Sequence, residues 1–183
     1  IEAPTYSYFD KVKAIRLSPF RKTIFLDSDL TFFRCPDEIF DGLEGVDLMA
    51  SFEAGMGFNE KSQKAMIPSA FPELSSGMIV FNNNQKVQDF FHLWEKEYLF
   101  LDEKYGIKED QPALRRALFK SEVKFCVLPP EVHCIPAIFT RVVGKNVICV
   151  HNHSFERAQQ IGTLINNRKY ADCCAYVDGF EVM

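Results

Sequence analysis

The sequence predicts an α/β domain with a mixed central sheet flanked by helices. Three observations predict it. Short β-rich apolar runs alternate with longer stretches of helical periodicity. The connections between them carry charge, glycine or proline. One run, Thr23-Ile24-Phe25-Leu26, ends in two acids one residue apart, Asp27 and Asp29, as a buried strand does when its end opens onto a site.

The elements follow in order. Residues 5 to 17 hold Tyr8, Phe9, Val12 and Ile15, with Lys11, Lys13 and Arg16 between them, which predicts an amphipathic helix with a basic face. Ser18-Pro19 stops it. The 23–27 strand comes next, and alternation along an extended segment would turn Asp27 and Asp29 to one side, with Ser28 opposite. Thr31 to Phe33 continues apolar, and Ile39-Phe40 suits a short helical turn. Residues 46–52 predict a second strand. Residues 53–72 show no period and carry Gly55, Gly57, Pro68 and Pro72, which predicts a long surface loop. Ser75-Ser76-Gly77 reads as a turn before a strand over 78–81.

Residues 86–100 place Val87, Phe90, Phe91, Trp94 and Tyr98 on one helical stripe. Those aromatics read as core, with His92 off the stripe and exposed. Asp110-Gln111-Pro112 opens another helix, with Asp110 as its N-cap. Strands are expected over 123–128 and 146–150. A helix capped by Ser154 should run to about Ile165, leaving 166–183 as a tail to a single domain over 1–183.

Composition narrows the function. The 183 residues are 47% hydrophobic and 25% charged, as in ordinary globular domains. A net charge of -4 argues against a nucleic-acid partner. No stretch is long enough to be a membrane span. The six cysteines include no CxxC pair, which disfavours structural zinc, and Cys126 and Cys149 lie in apolar runs that read as core. Neither GxGxxG nor GxxxxGK[ST] occurs. Two carboxylates at a strand end are costly unless a positive charge sits between them, and a hard divalent cation with phosphate ligands suits that place.

Several segments together carry a family resemblance. SPFRKTIFLDSDLTFF, then Ser76-Gly77-Met78-Ile79-Val80-Phe81-Asn82, then Asp110-Gln111-Pro112-Ala113-Leu114, then Leu128-Pro129 and a late His151 occur in one order. In this the chain resembles the GT-A-type nucleotide-sugar glycosyltransferases with a DxD motif, above all the glycogenin-like and plant cell-wall-type enzymes. The resemblance covers roughly residues 7 to 160. It implies a GT-A-like sheet, possessing only 26 residues before Asp27 where relatives carry the first part of the nucleotide-binding half. The chain is thus expected to be either a piece of such an enzyme or a shortened, N-terminally truncated relative.

The resemblance also implies roles. Asp27, Asp29 and His151 would hold Mn2+ (or Mg2+), the acids meeting the donor diphosphate. Lys11 or Lys13, some fourteen to sixteen residues before the motif, would bind the diphosphate, and His153 a phosphate. Ser76 and Gly77 would lie beside the sugar. Asp110 and Gln111 would stand near the reacting carbon. The expected reaction is metal-dependent transfer of a sugar, with retention, from a nucleoside diphosphate sugar (a uridine diphosphate sugar before others) to a carbohydrate, protein or lipid hydroxyl. No isolated carboxylate stands out as an inverting base. A sugar-phosphate nucleotidyltransferase and an inactive binding domain stay open as alternatives, as do cytoplasmic and secretory locations.

Overall fold

A computed structural model describes residues 7–53, 66–136, 140–142, 146–167, 175–178 and 181–182; at 140, 141 and in the last two stretches it describes the backbone alone. Helix α1 (Tyr8–Ile15) leads into strands β1 (Lys22–Leu26) and β2 (Leu30–Phe32), a 3-10 helix (Asp37–Leu43) and β3 (Leu48–Phe52). Then come β4 (Leu74–Asn82), α2 (Gln85–Tyr105), α3 (Asp110–Lys120), β5 (Phe125–Leu128) and β6 (His133–Cys134). The chain continues through β7 (Thr140–Val142), β8 (Cys149–His151), α4 (Phe155–Asn166), β9 (Ala175–Asp178) and β10 (Glu181–Val182).

The main sheet runs β1-β4-β3-β5. β1 and β3 are antiparallel to β4, and β5 is parallel to β3, so the sheet is mixed as expected. Alternation sorts its side chains. Leu48, Ala50, Ile79 and Phe81 face one core, shared with α1, α2 and α3. Met49, Met78 and Val80 face another, shared with Ile39 and Leu43 of the 3-10 helix. Trp94, Phe81, Phe90 and Phe91 are among the largest fully buried side chains, each contributing about 1.5–3 kcal/mol by leaving water.

A second sheet, β2-β8-β6, lies at the end of the first. α4 covers it with Ala158, Ile161 and Ile165. Gly162 lets that helix approach closely, because a Cβ there would collide with the Phe33 ring. β2 follows β1 after a three-residue turn, so the DxD acids sit where the two sheets meet.

Some expectations need correction. Asp27-Ser28-Asp29 is that turn, not an extended strand end, and Ser28-Asp29 carry the turn itself. Ser75, Ser76 and Gly77 lie inside β4, which begins at Leu74. α2 runs on to Tyr105, because Leu101 extends its buried stripe and Gly106, at φ 65, supplies the left-handed stop. Asn84 caps its start by accepting from the Val87 amide at 3.0 Å. The cap of α3 is Glu109; Asp110 is the first helical residue, its carboxylate turned away to other work. Cys126 is exposed, because β5 is the edge strand of the sheet. The expected tail contains β9, which pairs with β7, and β10, which pairs with β9. Of the expected 53–72 loop, 54–65 lies outside the described residues; beyond it, buried Arg115 donates to the Phe71 and Pro68 carbonyls and anchors the entry to β4.

Candidate functional site

Strand pairing assembles the site. β1 runs against β4 with Leu26 opposite Met78, and the Asp27 amide donates to the Gly77 carbonyl at 2.8 Å. β2 runs against β8 with Leu30 opposite His151, and the Asn152 amide donates to the Asp29 carbonyl at 3.1 Å. The two ladders fix the acids between β4 and the end of β8. One ligand atom each from Asp27, Asp29 and His151 then lies within 4.8 Å of the others.

Lys11 organises one side of the cluster. Val12 and Ile15 bury the neighbouring face of α1, which aims the lysine at the sheet edge. Its ammonium sits 2.9 Å from Asp27 Oδ1, 3.0 Å from Asp110 Oδ2 and 3.0 Å from the Ser76 hydroxyl. Its three donors therefore face three acceptors. Trp94 Nε1 donates to the Asp110 carbonyl at 3.0 Å, which pins the start of α3 and holds that carboxylate in place. One ammonium faces two carboxylates here, and no contact joins it to Asp29 among the described residues.

Histidines organise the other side. Asp29 is 3.0 Å from His151 Nε2 and 2.7 Å from Nδ1 of the exposed His153. The second nitrogen of His151 lies 3.2 Å from His133 Nε2, and His133 Nδ1 lies 2.9 Å from the Ser51 hydroxyl. Gly77 packs beneath His151. A Cβ there would strike the imidazole and stand 3.4 Å from Asp27 Oδ2, so glycine is what lets the ring sit beside β4.

These groups border a cleft of about 940 Å³, a size that suits a drug-sized or larger ligand. Lys11, Asp27, Asp29, Ser76, Gly77, Asp110, Gln111, His151 and His153 all line it. Lys13 does not join them; it pairs with Asp10 at 3.2 Å and lies over the Phe9 ring. Arg16 turns to His92 instead. The donor set of two carboxylates and one imidazole fits a six-coordinate Mn2+ or Mg2+, and leaves positions for phosphate oxygens.

Two features were missed. Glu53 lines the cleft at the end of β3, and burial, with the Glu73 carboxylate nearby, raises its pKa to about 6. The signal was present in ASFE: an acid closing an apolar strand, as Asp27 does. The second is His133, for which the sequence carries no local signal. Burial, and secondarily the neighbouring His151, push its pKa down to about 3, so its ring is neutral.

Comparison with known proteins agrees with this architecture. Residues 21–158 match the family model described as nucleotide-diphospho-sugar transferase. No curated protein matches significantly. Among solved structures, the galactosyltransferase LgtC, crystallised with donor and acceptor sugar analogues, is 16% identical with a TM-score of 0.60 over 89% of this chain and 67% of its own. Mouse xyloside xylosyltransferase 1 is 15% identical with a TM-score of 0.58 over 80% and 63%. The glycosyltransferase GlyE of Streptococcus pneumoniae is 16% identical with a TM-score of 0.53 over 92% and 45%. The likeness is one of fold, the GT-A-like mixed sheet flanked by helices, and the chain spans two thirds or less of each structure's length.

Proposed function

The chain belongs to the nucleotide-diphospho-sugar transferase family, and on that premise we propose that it takes part in transferring a sugar from a nucleoside diphosphate donor to a hydroxyl acceptor. The observation that carries the reading is the convergence of Asp27, Asp29 and His151 at one end of a cleft large enough for such a donor.

Mn2+ or Mg2+ would be held by those three side chains. Such a cation would supply positive charge to offset what develops on the leaving nucleoside diphosphate. Lys11 pairs with Asp27 and orients it, and adds positive charge beside the diphosphate. His153, at the exposed rim, meets a phosphate oxygen. Ser76 and the backbone at Gly77 face the sugar. Asp110, held by Lys11, and Gln111, which donates to Glu73 at 3.3 Å, line the cleft and would stand near the reacting carbon. A uridine diphosphate sugar is the donor class favoured by the resemblance to the DxD enzymes. A carbohydrate, protein or lipid hydroxyl accepts the sugar.

The same resemblance, to glycogenin-like enzymes, favours retention of the anomeric configuration. Glu53 gives the opposite outcome a specific agent, since a cleft carboxylate with a pKa near 6 suits a general base for inversion.

The experiment incubates the chain with uridine and guanosine diphosphate sugars, Mn2+ and simple glycoside acceptors. Release of nucleoside diphosphate that requires Mn2+ and is lost in Asp29→Ala supports the transferase. Proton NMR of the product anomer decides retention. Formation of an activated sugar from a sugar 1-phosphate and a nucleoside triphosphate points instead to a nucleotidyltransferase.

A further inference from the structure

We propose that His133, braced by Ser51, is a positioning residue that holds the His151 imidazole in place at the acidic cluster. The inference rests on the reading of Asp27, Asp29 and His151 as cation ligands.

His133 and Ser51 are 1% and 3% exposed. Neither needs to be polar for packing, and an unpaired polar group in such a place costs about 1–3 kcal/mol. Both are paired, and with each other. The Ser51 hydroxyl is 2.9 Å from His133 Nδ1, and His133 Nε2 is 3.2 Å from His151 Nδ1. The two rings lie nearly parallel, at 17° with centroids 5.3 Å apart. His133 comes from β6 and His151 from β8, adjacent parallel strands, while Ser51 comes from the end of β3 in the main sheet. Three elements meet to make this chain. Ser51 and His133 are not among the described residues that line the cleft, and the contact that links them to it is the one to His151.

The chemistry of the chain explains why these residue types serve. For His151 to present the Nε2 lone pair to a cation, its ring proton must sit on Nδ1 and find an acceptor. His133 Nε2 is that acceptor when its own proton is on Nδ1, donating to Ser51. The hydroxyl can also reverse, donating to His133 Nδ1, so that His133 donates to His151 and His151 Nε2–H donates to Asp29. A carbonyl or carboxylate behind His151 would accept only. The serine–histidine pair keeps the ring bonded in both proton orders and always in one orientation. Partners of this kind are worth about 10–100-fold in metal affinity.

The test titrates the full chain with Mn2+ alone and reads free Mn2+ by electron paramagnetic resonance. His133→Phe keeps ring volume and removes both hydrogen bonds; about a tenfold or greater loss of affinity is expected. Ser51→Ala, a smaller change, should lose affinity in the same direction. His133→Gln can accept and donate along the same line and should recover most of the loss. Unchanged affinity in both His133→Phe and Ser51→Ala overturns the proposal. If the wild-type chain binds no Mn2+, the cation reading fails, and a second readout still decides the role of His133. Nitrogen-15 NMR of the metal-free protein at about pH 8, above the ordinary imidazole range, reports the tautomer and order of His151. A shift change or averaging of the His151 nitrogens in His133→Phe supports positioning; identical spectra overturn it.

Discussion

Asp29 Oδ1 lies 3.0 Å from His151 Nε2, although most of the chain separates the two residues in sequence. The contact exists because β2 starts immediately after Asp29 and pairs with the strand that His151 ends. The pair costs little to keep together and is available to any cation that enters between Asp27 and Asp29.

Removing Asp29 should abolish the proposed activity more completely than it disturbs the fold. Its side chain is 23% exposed and its loss leaves no deeply buried partner charge. Asp29→Ala is expected to reduce turnover by about 10²–10³, the usual scale for losing one electrostatic element of transition-state stabilisation. Initial rates with saturating donor, alongside a thermal melt showing an unchanged midpoint, check it.

Lys11→Met should act on stability. The Asp110 side chain is only 6% exposed and Lys11 supplies its ion pair. Breaking a buried pair by removing one partner costs about 3–5 kcal/mol, and partial exposure at Asp27 places this case toward the lower end. Urea unfolding measures the loss, and Lys11→Met/Asp110→Asn should recover part of it.

Gly77→Ala should displace His151. The added methyl would occupy the space of the imidazole, with β4 backbone behind it. The ring is the part free to move, so Mn2+ affinity should fall about tenfold or more while the fold persists. Mn2+ titration beside circular dichroism separates the two effects.

Glu53 gives the chain a pH signature. Its folded pKa, about 6, is above the ordinary 4.5. The folded state therefore binds more protons than the unfolded state between those values, and stability falls as pH rises through that window. Above it, Glu53 weakens the fold by something on the order of 2 kcal/mol. Glu53→Gln should thus stabilise the protein at pH 7 and make little difference at pH 4. Urea unfolding at the two pH values tests the sign.

Much of this was legible in sequence, for identifiable reasons. The α2 stripe and the apolar run of β1 are local patterns with local causes. The DxD acids and Asp110-Gln111 were readable because the first close an apolar run and the second open a helix, whereas Ser76-Gly77, read as a turn, lies inside β4. What local patterns do not carry is register. Nothing in Lys11, Lys13 and Arg16 says which of them the helix turns toward Asp27 and Asp110. Nothing in LPPEVHC says that two residues of strand will lay His133 against His151, and the turn at Ser28 emerges only when β2 joins the second sheet. Cys126 reads as core until β5 is known to be an edge.

The central claim is a cation-dependent nucleotide site built on Asp27, Asp29 and His151. Calorimetric titration of uridine and guanosine diphosphates into the chain, with and without Mn2+, tests it most directly. Binding of at least one nucleotide that requires Mn2+ and vanishes in Asp29→Ala is the predicted result. Absence of binding to both nucleotides in the presence of Mn2+, or binding indifferent to Mn2+ and to Asp29, would contradict it.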